Sequence, residues 1–410
     1  MIAHNTHVSG TIEGILLRAT KATSDGLIQT RSGDPDLVEA FLPTPVPENH
    51  ASFLHLLPDG SIACTWFGGS AEGRPDVYIY FSILPIDSDS WSEATRVSAG
   101  SSRSEQNPVL FTAPEGDLWL LYTAQEYNAQ DTAVIMVQKS NDGGVSWSQP
   151  EQLFEAVGLF IRQPMIVLTE REWVLPVFHC DPVPGREWHG HADTSAVYLT
   201  KDGGETWNES TVPDSRGLVH MCVVKASDDS LLAFFRSRWA DAVYRSTSAD
   251  GGQTWSSPVP LDVPNNNSSI QVARTDASGR ATLLMVLNPI SAPAGTSEGD
   301  DLDVESDKIK AVAPGARVPL DRHAVWGQPR LPLSLMRSVD DGRTWSTVLE
   351  LENEQLLLSS GVDFGDLPKR GAEMSYPTIV IDEEGTAHVA YSYLRDAIKY
   401  VRIPMERWGA

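Results

Sequence analysis

Apolar and polar positions along the chain fall into short β-rich runs that come in pairs. The stretch NHASFLHLLPDGSIACTWF, which begins at Asn49, is one such pair. A short polar turn between two apolar runs is the signal of a β-hairpin. A third strand-like run follows each pair, for example VYIYFSI after the first. The pattern therefore predicts a unit of at least three strands.

This unit occurs six times. Four copies continue into an octet with the pattern Ser/Thr-x-Asp-x-Gly-x-Ser/Thr-Trp, at residues 140–147, 200–207, 248–255 and 338–345. The octet is predicted to be a turn, because Asp accepts backbone N–H bonds, Gly supplies a positive φ and Trp packs between neighbouring units. It would lead the chain from the third strand into a fourth.

Four strands per unit of roughly 50 residues, repeated six times, predict an all-β fold: a six-bladed β-propeller in one domain over residues 1–410. The first unit has only a degenerate octet at residues 86–91, and the last unit ends near Trp408 without a fourth strand. We expect residues 26–42 to supply that strand and close the ring. Residues 290–329, rich in acidic residues, Pro and Gly, are expected to form a long inserted surface loop between the fifth and sixth blades.

Composition narrows the choice of partners. The chain has 410 residues, is 41% hydrophobic and carries a formal net charge of −24. This charge argues against nucleic acid or an anionic membrane as a partner, because phosphate binding needs Lys and Arg. Cys64, Cys180 and Cys222 are too scattered for a disulfide framework and are expected to be buried free thiols. The start lacks the pattern of a secretion signal and no run has the length of a membrane span, so we expect a soluble cytoplasmic protein of undetermined oligomeric state.

The octets are the Asp boxes of the sialidase (neuraminidase) superfamily, and the chain resembles its members over nearly its whole length. The resemblance implies that a carbohydrate substrate binds at the propeller axis, where the innermost strands begin. A polar residue near this point in every unit favours a convergent binding site over unrelated turns. The residues expected to converge there are Asn49, His50, Asn107, Arg162, Gln163, His220, Asn267 and Tyr376.

The resemblance also implies roles for three residues. Tyr376, in SYPTIVIDEEG, matches the catalytic Tyr of the family. Glu72, in GGSAEGRPDVYIYFS, stands where the acid/base carboxylate precedes the third strand of the first blade. Arg330 matches the third arginine of the group that grips the substrate carboxylate.

Three positions depart from the family pattern. Asn49-His50-Ala51 replaces the opening that supplies the first arginine, His220 replaces the Glu that pairs with the catalytic Tyr, and Val243 occupies the position of the second arginine. Neither Asn nor His reproduces the bidentate pairing of Arg with a carboxylate. The remaining candidates for that task are Arg162, Arg236 and Arg245, so the chain resembles a divergent, sialidase-like branch of the superfamily.

Two chemistries are open for this set. In an exo-acting glycoside hydrolase, Tyr376 would attack the anomeric carbon with His220 as its base, and Glu72 would protonate the leaving oxygen of a terminal acidic sugar. In a uronate lyase, His would abstract the C5 proton and Tyr would protonate the leaving group. A non-catalytic glycan-binding propeller is a third possibility. No cofactor and no metal are expected.

A loop in the third unit carries Glu187, Trp188, His189 and His191. Two histidines beside a carboxylate could bind a metal ion, but a substrate-facing loop is favoured, with Trp188 stacking on a sugar and His189 donating hydrogen bonds. The run from Asn265 to Ser269 is expected to supply ligands for sugar hydroxyls.

Overall fold

The computed structural model describes residues 24–100, 102–127, 129–182, 188–293, 296, 322–362 and 372–409. Within these ranges the chain forms six small antiparallel sheets, arranged as the blades of a propeller, with almost no helix. The strands of a blade follow one another in sequence order, because short turns can join antiparallel neighbours directly. The predicted all-β, six-bladed propeller is confirmed.

Two strands, β1 (Gln29–Arg31) and β2 (Asp34–Phe41), precede the first blade. Blade one contains β3 (Glu48–Leu56), β4 (Ile62–Gly69), β5 (Tyr78–Leu84) and β6 (Thr95–Arg96). Blade two contains β7 (Ser104–Thr112), β8 (Leu118–Glu126), β9 (Ala129–Ser140) and β10 (Glu151–Gln152). Blade three contains β11 (Leu159–Phe160), β12 (Ile166–Val167), β13 (Trp173–His179), β14 (Thr194–Thr200) and β15 (Asn208–Thr211).

Blade four contains β16 (Leu218–Lys225), β17 (Leu231–Ser237), β18 (Ala242–Ser248) and β19 (Val259–Pro264). Blade five contains β20 (Gln271–Thr275), β21 (Thr282–Leu287), β22 (Leu333–Ser338) and β23 (Ser346–Glu352). Blade six contains β24 (Met374–Ile381), β25 (Ala387–Tyr393) and β26 (Ala397–Ile403). A short helix, α1 (Glu354–Ser359), follows blade five, and a 3-10 turn spans Met405–Arg407. Among the described residues, no helix has the length and apolarity to cross a bilayer.

Burial falls from the inner to the outer strand of a blade. Every residue of β4 is buried, and so is all of β8 except its last residue. The outermost strands β10 and β15 are largely exposed. Inner strands are covered on both faces because each blade packs between two neighbours, which explains the continuous apolar runs in the sequence. The three cysteines are buried free thiols, as expected.

The Asp boxes connect the third and fourth strands of blades two to five. In the box at 140–147, Asp142 Oδ1 accepts hydrogen bonds from Ser140 Oγ (2.7 Å) and Ser146 N (2.9 Å). Trp147 Nε1 donates to Gly144 O at 3.1 Å, which fixes the indole against the turn. The other three boxes repeat this pattern of contacts. The four octets are therefore turn scaffolds.

The box tryptophans pack across the blade boundary. Trp147 of blade two contacts Phe81 of blade one edge-on, with ring centroids 5.8 Å apart. Trp345 of blade five contacts Phe234 of blade four in the same way at 5.6 Å. Each box thus joins its blade to the preceding one, which confirms the expected place of the Trp between units.

The N-terminal segment closes the ring. Strand β2 pairs with β26, with Val38 opposite Arg402 and Phe41 opposite Lys399, and β1 extends the same sheet. The segment also joins blade one, because Trp91 N donates to Gly26 O at 2.9 Å. Residues 26–42 therefore supply the missing strand of blade six, as predicted.

A buried ion network reinforces this closure. Lys399 Nζ of β26 lies 2.7 Å from Glu352 of β23 and 3.0 Å from Glu39 of β2. Arg31 Nε of β1 pairs with the same Glu39 at 2.6 Å, and Tyr391 Oη donates to Glu352. Burial alone would raise the pKa of Glu39, but Lys399 and Arg31 outweigh it and lower that pKa. The network connects the N-terminal strands with blades five and six.

Both ends of the inserted loop lie against blade four. Ala292 N donates to Ala240 O and Val325 N donates to Arg238 O, both at 2.7 Å, so these ends are held against blade four. Residues 297–321 lie outside the described residues, as do residues 1–23. The surface position of the loop and the single domain over 1–410 stay predictions.

Substitutions at two adjacent glycines of one Asp box can distinguish the cost of backbone strain from the cost of a steric clash. Gly143 and Gly144 both have positive φ, 72° and 95°. A Cβ at Gly144 would lie 2.6 Å from Cζ of Phe81, whereas one at Gly143 would have no atom within 4 Å. Gly143→Ala should cost roughly 1 kcal/mol of unfolding free energy through strain alone. Gly144→Ala should cost about 2–4 kcal/mol, because overpacking against Phe81 adds to the strain.

Urea unfolding of the two variants, followed by tryptophan fluorescence, measures the difference. Equal losses would show that the blade boundary tolerates a methyl group at Gly144.

Candidate functional site

The innermost strands carry the same backbone irregularity in five blades. A residue near the start of the strand adopts left-handed φ: Ala51 (55°), Asn107 (49°), His220 (52°), Asn267 (60°) and Tyr376 (51°). In four of these blades the strand register also shifts there, as in a β-bulge. Positive φ is uncommon and strained for residues other than Gly, and such positions cluster at functional sites.

Tyr376 is at the centre of the residues that meet from different blades. Its ring centroid lies 4.3 Å from that of His50 in blade one and 5.7 Å from that of His220 in blade four. The guanidinium carbons of Arg162, Arg236 and Arg330 lie 5.5–5.6 Å from the Tyr376 centroid. We name Tyr376, His50, His220, Arg162 and Arg236 the axial cluster. Of the residues expected to converge at the axis, the structure brings together Tyr376, His50, His220 and Arg162, and Arg236 and Arg330 lie beside them.

Arg236 determines the state of the Tyr376 hydroxyl. Its Nη1 donates to Tyr376 Oη at 2.8 Å, and its Nε donates to Asn267 Oδ1 at 2.7 Å. Its Nη2 is buried and has no hydrogen-bond partner among the residues that the structure describes. Burial alone would raise the pKa of Tyr376, but Arg236 and Arg330 outweigh it and lower that pKa. Burial lowers the pKa of Arg236 to about 10, so it stays cationic at neutral pH.

Both histidines of the axial cluster are buried and neutral. Burial, reinforced by nearby arginines, holds the pKa of His50 and of His220 well below 6.5. His220 Nδ1 lies 3.0 Å from Ser269 Oγ, and its Nε2 faces Arg236 Nη1 at 3.5 Å. The expected direct hydrogen bond between His220 and the Tyr376 hydroxyl is not formed, because Arg236 lies between them. His220 therefore contacts the Tyr376 ring edge-on, and it reaches the hydroxyl only through Arg236.

Glu72 belongs to an ion network that reaches Tyr376 through Arg330. Arg395 Nη1 lies 2.7 Å from Glu72 Oε2 and 3.2 Å from Glu48 Oε1. Arg395 Nε pairs with Glu373 at 3.0 Å, and Glu373 also pairs with Arg330. Burial, together with Glu72, raises the pKa of Glu48 although Arg395 opposes it. We name Arg395, Glu48, Glu72, Glu373 and Arg330 the acidic arc.

Several amides proposed as sugar ligands are used by the scaffold instead. Asn49 Nδ2 donates to Val46 O and Asp396 O, and its Oδ1 accepts from Trp66 Nε1. The scaffold therefore uses both N–H groups of the Asn49 amide, and its assignment as a substrate ligand stays a prediction. Gln163 Nε2 donates to Ile270 O at 2.6 Å.

The run from Asn265 to Ser269 is buried and bonds mainly to the protein itself. Asn266 Nδ2 donates to Pro329 O and Asn267 Nδ2 to Val325 O, which holds the end of the inserted loop. Asn267 reaches the site only through Arg236. The expected set of ligands for sugar hydroxyls is therefore not supported. Asn107 differs, because its buried Oδ1 has no hydrogen-bond partner within the described ranges.

Arg245 lies elsewhere. Its Nε donates to Asp341 O, in the Asp box of blade five, at 3.0 Å. It lines a groove of about 230 Å³ between blades four and five, together with Asp228 and Arg343. The structure therefore does not bring Arg245 to the axial cluster, and its role in substrate binding stays a prediction. Arg245 lies on β18, the third strand of blade four.

The loop of blade three forms an aromatic wall beside Arg236. Trp188 Nε1 donates to Asp193 Oδ1 at 2.8 Å, and Arg238 pairs with Asp193 at 2.6 Å. Trp326, from the end of the inserted loop, donates to His189 O at 3.2 Å and lies 5.7 Å from the Arg236 guanidinium carbon. Burial raises the pKa of Asp193 to about 6.

A metal site at this loop has no support. No group of three or more His, Cys, Asp or Glu side chains suited to a metal ion occurs in the described part of the chain. Glu187, one of the residues considered, lies outside it.

Comparison with known proteins places this geometry in a family. The sequence profile of the BNR repeat-like domain matches residues 60–389. The chain belongs to the BNR repeat-like domain family. A search of curated protein sequences finds no significant match.

Solved structures share the fold at low sequence identity. A Hadza microbial sialidase superposes with a TM-score of 0.66 at 14% identity, over 88% of this chain and 66% of that one. A Trypanosoma rangeli sialidase, solved as a covalent intermediate with 2,3-difluorosialic acid, gives 0.61 at 11% identity, over 94% and 57%. A Dyadobacter fermentans protein of unknown function gives 0.62 at 13% identity, over 89% and 97%.

This BNR repeat-like chain spans less than two thirds of those two sialidases. The resemblance to the sialidase superfamily is confirmed at the level of the fold.

Sequence reasoning on this BNR repeat-like chain missed Arg395, Glu48 and Glu373. Glu48 and Glu373 each come three residues before a residue with left-handed φ, at the start of an apolar run. An acidic residue at the start of a buried strand could have indicated a position in the site. Arg395 lies in the tight turn between β25 and β26, with φ of 63°. Nothing in the local pattern distinguishes it from an exposed turn residue.

The buried neutral histidines predict loss of stability in mild acid. Below about pH 6.5 the unfolded chain takes up protons that folded His50 and His220 do not, so unfolding becomes easier as the pH falls. Each histidine should contribute up to about 1.4 kcal/mol per pH unit. Asp193, with its raised pKa, acts in the opposite sense.

Chemical denaturation of the wild type and His220→Asn between about pH 7.5 and 5.5 isolates the contribution of His220, since that of Asp193 is common to both. The variant should lose less stability than the wild type over this range. Tyr376→Phe, which keeps the imidazole, is the control. Parallel stability curves for the wild type and His220→Asn would contradict burial of a neutral His220.

Proposed function

We propose that this protein is a sialidase-like exo-glycoside hydrolase that removes a terminal acidic sugar from a glycan. The observation that carries the proposal is the Tyr376 hydroxyl, which accepts a hydrogen bond from Arg236 at the propeller axis. Beside it, the buried Arg236 Nη2 has no hydrogen-bond partner among the described residues. A carboxylate is the natural ligand for that donor, because guanidinium and carboxylate form strong charge-assisted hydrogen bonds. Arg236 thereby takes the place of the arginine that is missing at Val243.

Tyr376 is suited to be the nucleophile without a carboxylate beside it. Its pKa is lowered by Arg236 and Arg330, so the phenolate is accessible closer to neutral pH. Attack forms a bond between the phenol oxygen and the anomeric carbon, while the glycosidic bond breaks and its oxygen takes up a proton. Water then cleaves the glycosyl–enzyme bond, which releases the sugar and restores the phenol.

The acidic arc supplies the proton. Glu48 Oε2 accepts a hydrogen bond from Glu72 N at 2.8 Å, and both carboxylates share Arg395 Nη1. The raised pKa of Glu48 means that Glu48 and Glu72 together keep one proton up to a higher pH than an isolated carboxylate does. Glu72 is the more exposed member, with 36% of its side chain accessible, and it is the one placed to meet the leaving oxygen.

The relatives support this assignment. Two of the similar structures are sialidases, and one was captured as a covalent intermediate with a sialic acid analogue. Those are properties of those proteins, and the axial cluster of this chain differs in its histidines and in the position of its arginines.

A uronate lyase is the second candidate, favoured by the two neutral histidines. His50 and His220 flank Tyr376, and Arg236 is the hydrogen-bond partner that the structure gives its hydroxyl. A neutral imidazole can take the C5 proton of a uronate. The C5–H electron pair then forms the C4–C5 double bond, and Tyr376 protonates the departing oxygen at C4.

The products distinguish the two chemistries. Terminal α-sialosides and uronate oligosaccharides are incubated with the protein and analysed by mass spectrometry and near-ultraviolet absorbance. Hydrolysis adds one water across the cleaved bond and supports the first proposal. Elimination leaves an unsaturated, absorbing uronate and supports the second. Binding without turnover throughout the panel overturns both in favour of a binding propeller.

Tyr376→Phe should lower kcat/KM on the accepted substrate at least about 100-fold, because the variant lacks the hydroxyl that both chemistries require. His220→Ala should act through the same group, so the double variant should be little worse than Tyr376→Phe alone. Tyr198→Phe is the matched control, because the Tyr198 hydroxyl contacts Glu209 in blade three. Wild-type turnover by Tyr376→Phe would exclude Tyr376 as the reacting group.

A further inference from the structure

Arg162 contacts two other blades from the break in blade three. It lies between β11 and β12 and is only 1% exposed. Its Nη2 donates to Ser52 O of blade one and to Tyr376 O of blade six, both at 2.9 Å. Weaker contacts reach Ala51 O and Pro377 O at 3.5 and 3.4 Å. One guanidinium therefore bonds to the bulged segments of two neighbouring blades.

These partners are unusual for a buried charge. Buried arginines are normally paired with carboxylates, because an unpaired charge in the interior is costly. In the part of the chain that the structure describes, the hydrogen bonds of Arg162 all go to main-chain oxygens, and its Nε has none. Burial lowers its pKa to about 10 while Tyr376 opposes that shift, so it remains charged at neutral pH.

The geometry favours a structural role for Arg162 over the substrate-gripping role predicted for it. A carboxylate is held by two parallel N–H groups of a guanidinium. Both terminal nitrogens of Arg162 already face main-chain oxygens of Ser52, Tyr376 and their neighbours. The guanidinium carbon lies 5.5 Å from the Tyr376 ring centroid, within the range of a cation–π contact.

The segments that Arg162 holds are the strained ones. Ala51 and Tyr376 have φ of 55° and 51°, and the strand register shifts at both places. At a bulge the ladder is locally disrupted, and its unpaired carbonyl groups need other donors. Arg162 supplies such donors to both bulges at once.

We propose that Arg162 is a positioning residue that ties the bulge of blade six to that of blade one and thereby fixes the Tyr376 phenol at the axis. The proposal rests on Tyr376 being the reacting group of the proposed function. It assigns to Arg162 two separable contributions. One is the fork of hydrogen bonds that fixes the main chain, and the other is the positive charge near the ring.

Substitutions at Arg162 separate these contributions. Arg162→Lys keeps the charge but cannot bond several carbonyls in one plane. Arg162→Met keeps most of the side-chain length and removes both the positive charge and the hydrogen bonds to the main chain. The other charged or titratable groups near Tyr376 stay in place in every variant: His50, His220, Arg236, Arg330 and Glu72.

The first readout needs no substrate. Titration of tyrosine absorbance in each protein, minus that of the same protein carrying Tyr376→Phe, isolates Tyr376 from the other tyrosines. Arg162→Met should raise the midpoint of Tyr376 by about one pH unit, because a positive charge near the ring is lost. Arg162→Lys should leave the midpoint close to that of the wild type. Arg31→Met is the control, because it removes a buried arginine from the ring closure, and its Tyr376 midpoint should not move.

The second readout is kcat on whichever substrate the wild type accepts. Arg162→Lys should lower kcat roughly 100-fold with little change in KM, because a displaced phenol impairs the reaction more than binding. An unchanged Tyr376 midpoint in Arg162→Met together with wild-type kcat in Arg162→Lys overturns the proposal. If Arg162→Met does not fold, Arg162→Gln, which also lacks the charge, takes its place in the titration, and an unchanged Tyr376 midpoint in that variant counts against the proposal.

If the wild type cleaves no glycan, the proposed function fails while the titration still tests Arg162.

Discussion

The left-handed bulge in the innermost strands is the constraint on which the rest of the site depends. Each bulge disrupts a strand ladder close to the axis and exposes main-chain groups that need partners. Side chains from neighbouring blades bond to the main chain at and just after the bulges: Ser392 Oγ accepts from Ala51 N, Thr378 Oγ1 from Leu54 N and Gln271 Oε1 from Ile379 N. The polar centre of the propeller therefore serves the fold first. Arg236 Nη2 is one donor there that has no hydrogen-bond partner among the described residues.

The electrostatics of the site follow from where the carboxylates lie. In the acidic arc, Arg330 and Arg395 are matched by three carboxylates. In the axial cluster, Arg162 and Arg236 bond to carbonyls, an amide and a phenol. Among the described residues, no carboxylate therefore bonds directly to these two arginines, and the positive charge at the axis is concentrated on them.

The repeat made the fold predictable from sequence, because hairpins and Asp boxes are local. Gly and Trp at fixed offsets specify a turn that needs no knowledge of the remainder of the chain. The convergence of polar residues at the axis follows from the same repeat. What each polar residue does there could not be predicted. Asn49 and Arg236 look equally suitable in the sequence. Only the contacts show that both N–H groups of the Asn49 amide bond to the scaffold, whereas Arg236 Nη2 has no hydrogen-bond partner among the described residues. Arg245 was expected at the axis, but it lies at the boundary between blades four and five. The sequence pattern of a strand does not show which of its residues contact the neighbouring blade.

Ring closure between β2 and β26 determines when the molecule can be completed during synthesis. Val38 pairs with Arg402, so a strand made among the first must wait for one made among the last. Contacts of such long sequence separation form slowly, and domains are assembled as the ribosome releases them. Until then β2 presents an open edge that could pair with another chain. Glu39 on that strand pairs with Arg31 of the adjacent strand β1, and Lys399 joins the two only once β26 has been made. The ion network at the closure is therefore completed by the same late strand that completes the ring.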